Sequence, residues 1–432
     1  MSAVLDSDQH IYMPTFHAGQ VAMYAGRKQF NVVNCGRRWG KTKGLVVLAC
    51  DPAAKGKKVG IFTPEHKQLT EPYDEIRSVL LPIQDRASKV DGVIRTTTGG
   101  HVDFWPLNDN DLAGRGREYD RVLIDEGAYT KNGQMWGIWE KSIKPTLLTT
   151  RGDAWVFSTP SGLNPENFFH RLWHEAKLGW RPFHAPTASN PYVPLDELER
   201  IQRESHPLVW KQEYLAEFVD WSSDTFFKLA YFLVNGQPVA YPVKCDSVFA
   251  ILDCAVKSGS ANDGTGVLYC AYSQFHGHLL TWLDYEYHAI EAASLEFLAP
   301  SILARCEVLA AQCGARQGSL GLLVEDAAGG SMLIQQAAPR GWPITAIDSV
   351  HTMKGKDERA MLAGGPAYRG DVKISQYCFD KVVDWKGRSA NHLTAQLTTF
   401  HIGDKDAARR ADDLLDCACY SIIVSCVDQR AI

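Results

Sequence analysis

Cys35-Gly36-Arg37-Arg38-Trp39-Gly40-Lys41-Thr42 follows the apolar run Phe30 to Asn34 and precedes a helix-forming stretch, Leu45 to Ala49. A glycine-containing turn between a strand and a helix points backbone N–H groups into one concavity. The helix N-terminus adds partial positive charge there, so the turn favours phosphate. Gly40 permits close approach of the backbone, Lys41 neutralises the outer phosphates, and the Thr42 hydroxyl can hold magnesium. The usual spacing of such loops puts glycine where this chain has Cys35; here the first glycine is Gly36.

Working outward, the next decisive stretch is Val122-Leu123-Ile124-Asp125-Glu126, an apolar strand ending in adjacent acids. Buried unpaired carboxylates are costly, so two of them at a strand end point to chemistry. Asp125 is expected to bind the water shell of magnesium and Glu126 to polarise the attacking water, a division of labour suited to nucleotide hydrolysis. Ahead of them, Asp111-Leu112-Ala113-Gly114-Arg115-Gly116-Arg117 sets arginines between glycines. Arg115, like Arg37 or Arg38 beside the phosphates, is a candidate transition-state cation. Phe157-Ser158-Thr159-Pro160 places hydroxyls at the next strand end, where Ser158 and Thr159 are expected to sense the γ-phosphate and relay its loss.

Strand-like runs at 30–34, 58–62, 102–105, 121–124 and 154–158 alternate with helix-like stretches, which predicts a mainly parallel sheet covered by helices. Apolar residues at helical spacing from Leu195 to Phe218 predict helices that close this first domain. At 432 residues the chain exceeds what one core usually supports. The expected division is a domain over 1–220, a linker over 221–245 containing Ser222-Ser223, Gly236, Pro238 and Pro242, and a second domain over 246–432. In the second half strands are predicted at 248–253, 266–272, 279–286 and 320–325, a long helix around 290–313, and a final helix from 411 to about 424.

Composition is that of a soluble globular chain, with 45% hydrophobic and 22% charged residues and no apolar run near the length of a membrane span. The N-terminal stretch, with Asp6, Asp8 and two histidines, lacks the basic start and apolar core of a secretory signal, so a cytoplasmic location is expected. Eleven scattered cysteines without Cys-x-x-Cys spacing predict reduced, mostly buried thiols. The net charge of −5 speaks against coating nucleic acid by bulk attraction, though a local basic groove is compatible with it.

Three acidic stations mark the second half: Asp253 ends Phe249-Ala250-Ile251-Leu252, Glu325-Asp326 ends Gly321-Leu322-Leu323-Val324, and Asp412, Asp413 and Asp416 open the last helix. Asp263-Gly264-Thr265-Gly266 leads from the first station into the next strand, as in a hairpin. Each station alone is better explained by capping or a solvated turn. In strand, strand, helix order they match the needs of a two-metal phosphodiester hydrolase, and hard carboxylate oxygens select Mg2+ or Mn2+ over zinc. Lys354-Gly355-Lys356-Asp357-Glu358-Arg359, between the second and third stations, is expected to face a phosphate backbone or solvent.

This ordered set resembles the large terminase subunit of tailed bacteriophages, over nearly the whole chain. Phe16-His17-Ala18-Gly19-Gln20 resembles that family's adenine-contacting segment, with Gln20 the contact; Gly36 to Thr42 resembles its arginine-bearing phosphate loop, and Gly114-Arg115-Gly116 stands ahead of Asp125-Glu126. Phe157 to Pro160 resembles its coupling motif, and Trp210-Lys211-Gln212-Glu213-Tyr214-Leu215-Ala216-Glu217-Phe218 the segment that closes its ATPase domain. Asp253, Glu325-Asp326-Ala327-Ala328-Gly329-Gly330 and Asp412-Asp413-Leu414-Leu415-Asp416 match its three acidic motifs.

The resemblance implies an α/β protein with an N-terminal P-loop ATPase domain followed by an RNase H-like nuclease domain. It implies ATP with Mg2+ in the first, and Mg2+ or Mn2+ in the second on Asp253, Glu325 or Asp326, and Asp413, with Asp412 and Asp416 as alternative or supporting ligands. It further implies a pentameric ring on the portal protein of a procapsid, threading and cutting double-stranded DNA in the host cytoplasm, with a small terminase subunit selecting the DNA and no membrane partner. Two other readings remain open on the residues: a DNA repair or recombination helicase-nuclease, and a P-loop ATPase whose second domain only docks.

Overall fold

The computed structural model describes residues 10–108, 110–131, 133–221, 225–254, 264–275, 277–288, 295–326, 329–403 and 411–428. Asp263, Ser222-Ser223, Ala327-Ala328 and the expected start of the long helix near 290 lie outside them. The chain divides into two compact units, residues 1–200 with 207–220 and residues 201–206 with 221–432.

The first unit is built on eight strands: β1 (Phe30–Cys35), β2 (Lys58–Thr63), β3 (Gln84–Ser88), β4 (Val93–Thr96), β5 (His101–Pro106), β6 (Arg121–Ile124), β7 (Asp153–Ser158) and β8 (Arg181–Ala185). Their order in the sheet is β3-β4-β5-β2-β6-β7-β1-β8, parallel from β5 through β8 with an antiparallel edge at β3 and β4. The central strands are buried on both faces, as a parallel sheet requires, and so read as continuous apolar runs. Alternation sends Val33 and Cys35 to one side, where α2 (Lys41–Ala54) lays Leu45, Val46, Ala49 and Ala53 against them. Val32, Val122 and Ile124 go to the other side, against Phe168 and Phe169.

In the second unit β9 (Ser247–Asp253), β10 (Thr265–Tyr272), β11 (Leu280–His288), β12 (Ser319–Glu325), β13 (Ile344–Ile347) and β14 (Val372–Ile374) form a sheet in the order β13-β12-β9-β10-β11-β14. β9, β10 and β11 run antiparallel, and β12 and β13 join parallel to β9. Three antiparallel strands continued by two parallel ones is the RNase H-like arrangement, with β14 added beside β11. One face carries the helix Leu295–Gln312 through Leu298, Ile302, Cys306 and Leu309. The helix Asp413–Ile422 packs on β9 and β10.

Of the expected linker, residues 225–245 are not a bare connection: they fold with the second unit. Phe226 and Phe227 pack on Phe400, Phe232 lies 4.7 Å from Trp282, and Lys373 Nζ donates to the carbonyls of Tyr231 and Leu233. Aromatic side chains at 226, 227 and 232 outweigh the loop-like glycine and prolines around them. The helix Leu195–Glu204 likewise does not close the first unit alone, because residues 201–206 group with the second.

Candidate active sites

β1 delivers the phosphate loop. Gly36 is needed for space: a Cβ there would stand 2.4 Å from Thr187 Oγ1 and 2.5 Å from the Tyr214 carbonyl. Gly40 has φ +102°, a left-handed conformation that suits glycine, and opens α2 without any side-chain cap. The first amides of α2 therefore face the loop's concavity together with the helix dipole. The loop's carbonyls are pinned from outside, Arg37's by the Thr187 hydroxyl, Arg38's by Asn190 Nδ2, and Gly40's by Gln20 Nε2 at 2.9 Å. Gln20 Oε1 in turn accepts from the His17 amide, closing a capping box on the helix Ala18–Ala25. The buried Gln20 thus holds the loop.

Lys41 is ion-paired with Glu126 Oε1. Burial alone would lower the lysine's pKa, but Glu126 and Asp125 outweigh it and raise it. Asp125, at the end of β6, has its carboxyl pushed up to about 6 by burial, against the pull of Lys41 and with the added repulsion of Glu126. Glu126 takes φ 52° and ψ 41°, a left-handed backbone on a residue with a full side chain. Ser158, at the end of the intervening strand β7, places Oγ 3.3 Å from Glu126 Oε2 and accepts from the Ala128 amide at 3.1 Å. Thr159 is buried beside it and Thr42 lies half-buried in the first turn of α2. The structure thereby brings Lys41, Asp125, Glu126 and Ser158 together at one edge of the sheet.

The candidate arginines separate. Arg37 Nε bonds Glu213 Oε2 at 2.5 Å, which ties the 210–218 segment to the loop, while Arg38 is exposed at φ 61°. Arg115 lines a separate cleft of about 340 Å³ with Asp111, Gln134, Lys141 and Ser142, and none of the cleft's lining residues belongs to the phosphate loop. Its neighbour Arg117 is drawn back, 3.7 Å from Asp103 and over the Trp105 ring.

In the second unit Asp253 ends β9. The parallel pairing of Val324 with Leu252 sets Glu325 alongside it, and the antiparallel pairing of Gly266 with Asp253 leaves that position open to the last helix. A Cβ at Gly266 would meet the Asp413 backbone at 3.1 Å, so the absent side chain lets the helix start press onto the sheet. Burial, then Asp416, Asp413 and Glu325 in that order, hold the Asp253 carboxyl well above the usual carboxylate range, with Arg359 pulling the other way. Of the adjacent acids, Glu325 raises the pKa of Asp253, whereas Asp326 is exposed and accepts from Ser331 Oγ at 2.6 Å.

Asp413 is oriented by two residues that sequence reading missed. Tyr287 donates its hydroxyl to Asp413 Oδ2 at 2.7 Å, and Gln396 Oε1 accepts the Leu414 and Leu415 amides, capping the helix from a different element. Asp412 does not lie in the helix but at its N-cap, and it pairs with Lys356; Asp416 pairs with Arg359. The basic strip 354–359 is therefore engaged within the chain, Lys354 pairing with Glu358 as well.

Among the described residues no three Asp, Glu, His or Cys side chains close into a finished metal cage. The donors gathered at Asp253 are nevertheless all carboxylate oxygens. Cys417 donates its thiol to the Ile251 and Gly266 carbonyls, and burial and then Asp253 push its pKa up. Carboxylate donors of this kind fit a hard divalent ion rather than a soft one.

All eleven cysteines are free, ten of them buried. No helix among the described residues is long and apolar enough to cross a membrane.

No protein-family model matches the chain. Over 112 residues it is 29% identical to the large terminase subunit of Escherichia phage T5, a match spanning 26% of this chain and 25% of that protein. The large terminase of the thermophilic bacteriophage D6E is similar in structure over 95% of this chain and 99% of its own, with a TM-score of 0.61 at 12% identity. The same D6E protein in complex with ADP gives 0.59, and in complex with ATP-γ-S 0.58. In fold along nearly its whole length, and in sequence over about a quarter of it, the chain resembles the large terminase subunits of tailed bacteriophages.

Proposed function

We propose that the chain is a viral DNA-packaging motor, in which ATP hydrolysis by the first unit drives double-stranded DNA into a procapsid and the second unit cuts the concatemer as a two-metal endonuclease. The observation that carries this reading is that each unit holds its own carboxylate centre, Asp125 and Glu126 against Lys41 in one and Asp253 with Glu325 and Asp413 in the other.

In the first unit the α2 amides, Gly40 and Lys41 bind the nucleotide's phosphates, and Lys41 steadies the charge that develops as the terminal phosphoryl leaves. Glu126, released from Lys41 by the arriving phosphate, orients and deprotonates water. Arg38, exposed beside the loop, is the better placed of the loop arginines to add a second cation. Thr42 and Asp125 would hold Mg2+, which supplies charge neutralisation. Ser158 passes the state of Glu126 to β7.

In the second unit Asp253, Glu325 and Asp413 would hold Mg2+ or Mn2+, which activates water and stabilises the leaving oxygen when bound. Tyr287 and Gln396 fix the orientation of Asp413. The expected setting is the host cytoplasm, as a pentameric ring on the portal protein with a small terminase subunit choosing the DNA. The D6E likeness over nearly the whole chain supports this over a docking-only second unit.

Separation of function tests it in the full chain. Glu126→Gln should abolish DNA-stimulated ATPase activity and leave Mn2+-dependent plasmid nicking intact, and Asp253→Asn should do the reverse. Loss of neither activity in its assigned variant would sink the reading. Unwinding of a forked duplex would favour a helicase-nuclease instead.

A further inference from the structure

Two cations stand inside the acidic cluster of the second unit. Arg359, on the helix Lys356–Arg369, donates from Nη2 to Asp416 Oδ1 at 2.7 Å, with both side chains only 10% exposed. Its Nη1 donates to the Lys354 carbonyl at 2.9 Å and its guanidinium lies over the Tyr420 ring, 4.9 Å from the centroid. Its Nε has no hydrogen-bond partner among the described residues. One turn before Asp416, Lys356 is ion-paired with Asp412.

Burying a guanidinium is expensive unless a carboxylate meets it in good geometry, and four acids drawn to one sheet end repel one another. The fork of Arg359 answers both demands, and its Nη2 contact occupies an Asp416 oxygen that an ion would otherwise use.

We propose that Arg359 and Lys356 are built-in counter-cations that keep Asp416 and Asp412 out of the metal-ligand set, leaving Asp253, Glu325 and Asp413 to hold the ions. The inference rests on the nuclease reading of this site. It makes Arg359 a positioning residue, which lets the site stay folded without metal and lowers its affinity for divalent ions.

Mn2+ binding to the full-length protein, followed by the EPR signal of free Mn2+, tests this together with melting temperatures in EDTA and in MnCl2. Arg359→Gln should bind Mn2+ about tenfold more tightly, or bind one ion more, than the parent protein, and should melt lower in EDTA. Arg359→Lys should stay near the parent in both respects. Lys356→Ala, at a partly exposed position where folding is not at stake, should shift Mn2+ affinity in the same direction by less. Parent-like or weaker Mn2+ binding in both Arg359→Gln and Lys356→Ala overturns the counter-cation assignment alone. Absence of Mn2+ binding by the parent protein overturns the nuclease reading and the assignment with it.

Discussion

The Ser158 hydroxyl lies 3.3 Å from Oε2 of Glu126. β7 separates β1 from β6 in the sheet, so a hydroxyl at its end stands between the proposed phosphate loop and the strand that carries the acids. A hydrogen bond to a charged group contributes about 1.5–3 kcal/mol, so Ser158→Ala should lower kcat for ATP about tenfold to a hundredfold. KM should stay within about twofold, because the bond is made to the proposed general base and not to the nucleotide. Steady-state ATPase kinetics decide it, and a purely raised KM would contradict the placement.

Gln20 reaches the phosphate loop through the Gly40 carbonyl. If that contact is its main task, Gln20→Ala should raise the KM for ATP and for GTP by the same factor, about threefold to tenfold. Competition between the two nucleotides measures this directly. Loss of discrimination between them would return Gln20 to reading the base.

Gly266→Val should drive the start of the Asp413–Ile422 helix off β10, since even a Cβ would meet the Asp413 backbone at 3.1 Å. Nicking should fall at least about tenfold, as small misplacements of catalytic groups do, while ATPase activity stays at the parent level. Paired assays on one preparation check it.

His206 stacks on Phe226, 4.4 Å between centroids, and is buried. Burial, opposed by a hydrogen bond to the Phe226 backbone carbonyl and helped by the charge of Lys228, pushes its pKa down to about 4 from 6.5. The unfolded chain takes up a proton near pH 6.5 and the folded chain does not. The contribution of this residue to stability is thus whole above pH 6.5 and shrinks as pH falls toward 4, by about 2–3 kcal/mol at most. Urea melts of the parent and of His206→Phe between pH 7.5 and 4.5 should converge as pH falls, the parent losing more.

The strands that carry chemistry were legible because each is a continuous apolar run ended by an acid or a turn, as at Ile124-Asp125 and Leu252-Asp253. The hairpin β3–β4 was not, since Gln84–Ser88 is polar and only partly buried and shows no alternation to read. The helix Lys356–Arg369 was hidden twice over, by a charged start that resembles solvent-facing loop and by Gly364-Gly365-Pro366 within it. There glycine serves packing: a Cβ at 364 would stand 2.7 Å from the Phe226 ring. Tyr287 and Gln396 gave no signal because their partner Asp413 is far away in sequence, and no spacing rule links them.

The left-handed backbone at Glu126 sets two demands on one position against each other. Glycine would adopt that conformation without the penalty of about 1 kcal/mol that a Cβ carries, but Glu126→Gly would leave the largely buried Lys41 without its ion partner. It would also be inert toward nucleotide. The bend that sets the carboxylate against Lys41 is thus a local strain that the ion pair it makes possible offsets.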